Sequence, residues 1–132
     1  MKRSAPLRRS GRLKARNAAR RKREFARCYH SAERVEFVKA LPCAVCYCTP
    51  SENAHTTGGG ASRKADYTTI APLCAFHHAQ LHRIGVDTFQ IRHVIRLRNE
   101  AAHTQALWQR HCAAPVHISS VIPAALAGLE GA

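Results

Sequence analysis

Two short half-sites, Cys43-Ala-Val-Cys46 and Cys74-Ala-Phe-His77, constrain this chain more than any other feature. Thiolate and imidazole ligands separated by two residues can wrap one side of a tetrahedral ion, and two such pairs close a structural zinc site. A site of that kind pins together two loops that a small core could not hold by apolar burial alone. His78 stands beside His77 and could replace it as ligand, since a three-residue spacer is also tolerated. His77 is the better choice because it leaves His78 in line with His82. Cys48 could compete for the ion, but the spacing of Cys43 and Cys46 suits a metal knuckle better.

His55, His78 and His82 are then left over. His78 and His82 are four residues apart and so lie about one turn apart on one helical face, an arrangement that offers two imidazoles to one divalent cation. Two centres of different character are therefore expected, one rich in sulfur and closed, the other lined with imidazole.

In the order Cys43-x-x-Cys46, His55, Asp66, Cys74-x-x-His77-His78-x-x-x-His82, the chain resembles the HNH endonucleases. More narrowly, Glu52-Asn-Ala-His55, the Gly58-Gly59-Gly60 turn, Arg63-Lys64-Ala-Asp66 and Ile70-Ala-Pro-Leu-Cys74 resemble small phage-encoded proteins of the recombination-enhancement nuclease type. The resemblance covers residues 31 to 84. It implies a ββα-metal fold, in which a hairpin and a short helix surround a catalytic metal.

The same resemblance implies roles. His55 would be the general base that deprotonates a water, a task suited to imidazole, whose ordinary pKa of about 6.5 leaves it neutral yet basic near pH 7. Asp66 stands where the family's middle Asn usually stands, and would orient the base or tether the loop. His78 and His82 would hold the catalytic cation, Mg²⁺ or a softer ion such as Mn²⁺ or Ni²⁺, since imidazole favours transition metals. Many members carry a further ligand immediately before the base. Ala54 is found there instead, so coordination would rest on two imidazoles, waters and the substrate phosphate.

Charge points to the substrate. The formal net charge is +13, and residues 1–27 hold twelve Lys and Arg against Glu24 alone, which places +11 in that segment. Blocks of like charge with little to bury stay unfolded in isolation and often serve as basic arms for nucleic acid. This arm, expected to be mobile when free and to coil into a helix once phosphates neutralise its charge, supplies Arg8, Arg9, Arg12, Lys14, Arg16, Arg20, Arg21, Lys22 and Arg23 as candidate phosphate contacts. Arg63 and Lys64 would add to them beside the glycine turn, which suits both hairpin geometry and close approach of backbone to phosphate. Contacts to backbone alone carry no base information, so DNA binding with little sequence selectivity is expected.

The six cysteines do not suggest a disulfide scaffold, since no apolar leader follows the basic N-terminus and no apolar run approaches a membrane span of about 18 residues. A reducing cytoplasm is expected, the bacterial host's if the protein is phage-encoded, with no membrane partner. Cys28, Cys48 and Cys112 read as ordinary thiols.

The pattern divides the chain into a basic arm (1–27), a zinc-containing core (28–86), a C-terminal helix packed on that core (87–113) and a tail (114–132). Within the core, Ser31 is a candidate N-cap for a helix over 31–41, with Val35, Phe37, Val38 and Leu41 at helical spacing and Pro42 ending it. Short strands are expected around 53–57 and 68–71, then a helix over 75–83 that Gly85 terminates. A single helix is expected from Asp87 to Cys112, burying Ile91, Val94, Ile95, Ala101, Ala102, Trp108 and Cys112, with Arg92, Arg96, His103 and Arg110 sharing another face. The fold class is α+β, a small zinc-stabilised ββα-metal core with flanking helices and a basic N-terminal arm.

Together these features predict a metal-dependent HNH endonuclease hydrolysing DNA phosphodiesters. Two alternatives remain open at this stage: a non-catalytic zinc module that binds DNA, and an accessory nuclease that needs a recombinase filament or another phage recombination protein to present its DNA.

Overall fold

The computed structural model describes residues 11–57 and 65–114, with side chains from residue 17 onward. The glycine turn with Arg63 and Lys64, the first ten residues with Arg8 and Arg9, and the tail beyond 114 lie outside the described residues, as do the side chains of Arg12, Lys14 and Arg16.

The chain is a mixed α+β arrangement, with helices packed around one small hairpin. Helix α1 (Gly11–Tyr29) is followed by α2 (Ala32–Ala40), strand β1 (Glu52–His55), a single 3-10 turn (Tyr67–Thr69), strand β2 (Ile70–Leu73), and helices α3 (Ala75–Ile84), α4 (Val86–His93) and α5 (Leu97–Ala113). The strands pair antiparallel, with Glu52 opposite Leu73 and His55 opposite Ile70. Pro72 is tolerated in β2 because its missing N–H faces the unpaired edge of a two-stranded sheet. Its carbonyl accepts from Ala44 N–H at 2.9 Å, which ties the first cysteine loop to the hairpin.

Local signals explain several boundaries. Ser31 caps α2 by accepting from Arg34 N–H at 3.2 Å, and such a cap stabilises a helix by about 1 kcal/mol. Gly85 closes α3 with φ of +80°, a left-handed conformation that favours glycine. The core gathers Cys43, Ala54, Leu73, Leu81, Phe89 and Leu97. Each large apolar side chain there contributes about 1.5–3 kcal/mol by leaving water. Helix α5 lies against β2, and α2 against β1.

Two expectations are corrected. The segment expected as a mobile arm is helical from Gly11, and α1 runs through the division placed at residue 27 to end at Tyr29. Cys28 is buried at its C-terminal end, so this last turn is part of the core. The expected single helix over 87–112 is broken: Val94 adopts φ of +54°, and Leu97 N–H is capped by Gln90 Oε1 at 3.0 Å. The break shifts the helical register. Ile91, Val94, Ala102 and Cys112 are exposed, and the buried face is Phe89 of α4 with Leu97, Ala101, Thr104 and Trp108 of α5. Arg92 and Arg110 therefore sit on separate helices and share no single face.

Among the described residues no helix is long and apolar enough to cross a membrane.

Candidate metal centre and adjoining cleft

Cys43 and Cys46 sit on a tight loop between α2 and β1. Cys43 N–H donates to Cys48 O at 2.9 Å, Tyr47 N–H returns to Cys43 O at 2.9 Å, and Tyr47 takes a positive φ of 61° to close the turn. Cys74 occupies the N-cap position of α3, which carries His77 back over the loop one turn later. Cys43, Cys46, Cys74 and His77 then bring their ligand atoms within 4.8 Å of one another and could hold a metal ion.

The edges of this group fit a tetrahedral ion. Cys46 Sγ lies 3.7 Å from Cys74 Sγ, and His77 Nδ1 lies 3.2 Å from Cys74 Sγ and 3.6 Å from Cys43 Sγ. Zinc bonds of about 2.3 Å to sulfur and about 2.1 Å to nitrogen give edges of about 3.8 and 3.6 Å. Burial pushes the Cys43 thiol up, but N–H groups of Cys46, Cys74 and Val45 directed at its sulfur outweigh that and bring it below the ordinary thiol value. Thiolate is the form a metal takes. Burial, and then the neighbouring His93, lower the His77 pKa below the ordinary imidazole value, which favours the neutral form that a metal takes. His77, and neither His78 nor Cys48, is the fourth member.

On the outer side of α3 the second set of imidazoles converges. His78 Nε2 and His82 Nε2 lie 3.1 Å apart. Two nitrogens bound to one cation at about 2.1 Å would be about 3.0–3.4 Å apart at ordinary angles. Behind His78, Nδ1 meets Glu52 Oε2 at 2.6 Å. A carboxylate only accepts, so Nδ1 carries the proton and Nε2 presents its lone pair toward His82. His82 Nε2–H then donates to His78 Nε2.

His55, at the end of β1, lines the same cleft of about 440 Å³ as His78, His82, Asn53 and Tyr29. Its Nε2 lies 2.9 Å from the carbonyl oxygen of Cys28. A carbonyl can only accept, so Nε2 carries the proton and the basic lone pair belongs to Nδ1. The Tyr29 ring meets the imidazole edge-on, with centroids 5.2 Å apart. Among the described residues, His55 does not join His78 and His82 in a group as compact as the cysteine cluster.

Asp66 serves as a tether. Its carboxylate accepts from the Thr68 N–H at 2.9 Å and from the Thr68 hydroxyl, capping the 3-10 turn that leads into β2. The Thr68 hydroxyl bond is the largest cause of a pKa below the usual carboxylate value; burial opposes it, and the Thr68 N–H bond and the charges of Arg27 and His55 add to the lowering. Arg20, Arg21, Lys22 and Arg23 are exposed along α1. Ala54 is fully buried in the core, so a longer metal-binding side chain could not occupy its place without displacing packing.

Sequence reasoning missed Glu52 as the partner of His78 and Cys28 as the carbonyl that sets the His55 tautomer. Both partners are 26 or more residues away along the chain, and no local pattern marks either. Compared with protein-family models, with curated proteins and with solved structures, the chain matches none.

Proposed function

We propose that the chain is a metal-dependent endonuclease of the HNH type, hydrolysing DNA phosphodiesters with little sequence specificity around a ββα-metal core. The observation that carries the reading is the convergence of His78 and His82 at 3.1 Å, backed by Glu52, in the cleft that His55 also lines. In this reading Cys43, Cys46, Cys74 and His77 hold a structural zinc that fixes the loop and α3 beneath the cleft. His78 and His82 hold a divalent cation, Mg²⁺, Mn²⁺ or Ni²⁺. When bound there, the cation supplies neutralisation of charge on the scissile phosphate and leaving oxygen.

The remaining steps belong to the chain itself. His55 accepts a proton from water at Nδ1, while its Nε2–H stays on the Cys28 carbonyl and keeps the ring in place. That carbonyl is at the negative end of the α1 dipole, which favours the imidazolium formed as the proton arrives. Asp66 holds the turn leading into β2, the strand paired with His55. The exposed cations of α1 attract the polyanion.

A plasmid-nicking assay with each of the three cations tests the proposal. Cleavage that is lost in His55→Ala while zinc content and melting temperature persist supports it. No cleavage with any cation, alongside tight salt-sensitive binding, would establish instead a non-catalytic zinc module, a reading that the buried Ala54 favours. Cleavage only in the presence of a recombinase filament would assign the accessory role.

A further inference from the structure

On the other side of the α1–α2 junction lies a second concavity, of about 420 Å³, walled by His30, Tyr67 and Trp108 and edged by Gln105 and Gln109. The His30 ring stands edge-on to Tyr67 with centroids 5.0 Å apart, and to Trp108 at 6.0 Å. His30 reaches this position through a left-handed backbone, φ of 69°, immediately after Tyr29, which lines the His55 cleft. Tyr29 and His30 are successive residues, so the two sites flank one chain junction.

Beneath the pocket is Arg34, whose side chain is fully buried. Its Nη2 donates to Gln105 Oε1 at 3.0 Å, its guanidinium lies 5.2 Å from the Tyr67 ring centroid, and its Nε and Nη1 have no hydrogen-bond partner among the described residues. Burying a guanidinium so poorly compensated is costly. What it accomplishes is orientation. A guanidinium only donates, so the carboxamide of Gln105 must turn its oxygen inward and leave its NH₂ to donate on the pocket wall.

Trp108 is largely buried, with His111 stacked on its ring at 5.6 Å and Phe37 at 5.3 Å, so it floors the pocket while His30 and Tyr67 form the rim. An aromatic floor and rim with a fixed donor at the edge match one chemical class well. A nucleobase stacks on rings and offers ring-nitrogen or carbonyl acceptors at its margin. A base inside a duplex is stacked on its neighbours and cannot enter, whereas an unpaired one can. We infer that the His30–Tyr67–Trp108 pocket binds an unpaired nucleobase next to the scissile phosphate, with the Gln105 amide as donor. The inference rests on the reading of DNA as partner. It adds a preference for strands with unstacked bases.

Trp108 is the one tryptophan in the chain, so its fluorescence reports directly on the pocket. The test titrates the full-length, zinc-loaded protein, at one fixed pH and without added Mg²⁺, Mn²⁺ or Ni²⁺. The probes are a short thymidine or adenosine single strand, an abasic deoxyribose-phosphate strand of the same length, and a fully paired duplex. The base-bearing single strand is expected to quench Trp108 and to bind about fivefold or more tighter than the abasic strand, with little quenching by duplex. Gln105→Glu gives Arg34 a carboxylate partner, so the fold persists, but it removes the donor. The ratio of base-bearing to abasic affinity is expected to collapse toward one, and His30→Asn, which tolerates the left-handed backbone, should reduce it as well. Equal affinity and quenching for base-bearing and abasic strands, or an unchanged ratio in Gln105→Glu, would overturn the inference while leaving the nuclease reading intact. Failure to bind any of the strands would overturn both.

Discussion

Glu52 Oε2 and His78 Nδ1 stand 2.6 Å apart across 26 residues of sequence, joining the first position of β1 to the outer face of α3. The contact converts a surface histidine into an oriented donor, since it fixes which nitrogen bears the proton. Removing the carboxylate while preserving shape isolates that effect. Glu52→Gln is expected to weaken Mn²⁺ or Ni²⁺ binding about 10–100-fold by calorimetric titration, with zinc content and melting temperature unchanged. Cation affinity equal to wild type would mean that His78 and His82 need no such support.

On the proposed reading the sulfur-rich centre should behave oppositely, because a structural zinc there would hold the fold together. Cys43→Ser removes the fully buried member of the cluster. Loss of bound zinc by elemental analysis together with loss of cooperative unfolding is the expected result, since binding of a structural zinc is coupled to folding in small domains. A folded variant that retains its zinc would place the ion elsewhere.

Arg34 offers a stability test of the further inference. Its guanidinium is buried with two nitrogens unpartnered among the described residues, so Arg34→Met should be within about 1 kcal/mol of wild type or more stable, as judged by thermal or denaturant unfolding. The Gln105 amide would then be free to turn, and discrimination between base-bearing and abasic strands should fall. A loss of several kcal/mol would show that the charge stabilises the core, contrary to its role as an orienting group.

The carboxylate of Asp66 gives a pH dependence with a definite sign. Its folded pKa lies below the usual value, owing first to the Thr68 hydroxyl bond, so its contribution is present above the unfolded pKa of about 3.9 and is lost as pH falls through the folded one. Asp66→Ala should therefore be less stable by about 1 kcal/mol from pH 8 to 5.5, as for a lost cap, with the gap closing below about pH 4. Acid release of zinc affects both proteins and cancels in the difference. A gap that widened on acidification would contradict the assignment.

Truncation separates affinity from alignment. Deleting residues 1–16 removes seven cations and leaves the Cys28 contact with His55 in place. The slope of log affinity against log salt should fall by up to about 6, with turnover of bound DNA retained. Deleting 1–27 instead removes the helical turns that hold Cys28 and Tyr29, so turnover should fall too. Equal turnover in the two truncations would exclude a positioning role for the end of α1.

Where side chains meet through short spacers, the sequence alone determined the outcome. The Ser31 cap and the Gly85 stop were legible because their partners lie within a turn, and each half of the cysteine and histidine set was legible from its two-residue spacer, although the halves meet across 28 or more residues. The α4–α5 break was not, since Gln90 caps Leu97 only once Val94 has turned into a left-handed conformation, and no period in the sequence signals that turn. Nor were the tautomers of His55 and His78, or the pocket above Arg34, legible there. These depend on strand β1, helix α1 and helix α5 arriving beside one another, and it is packing of the shared core, not local preference, that brings such distant groups within hydrogen-bonding reach.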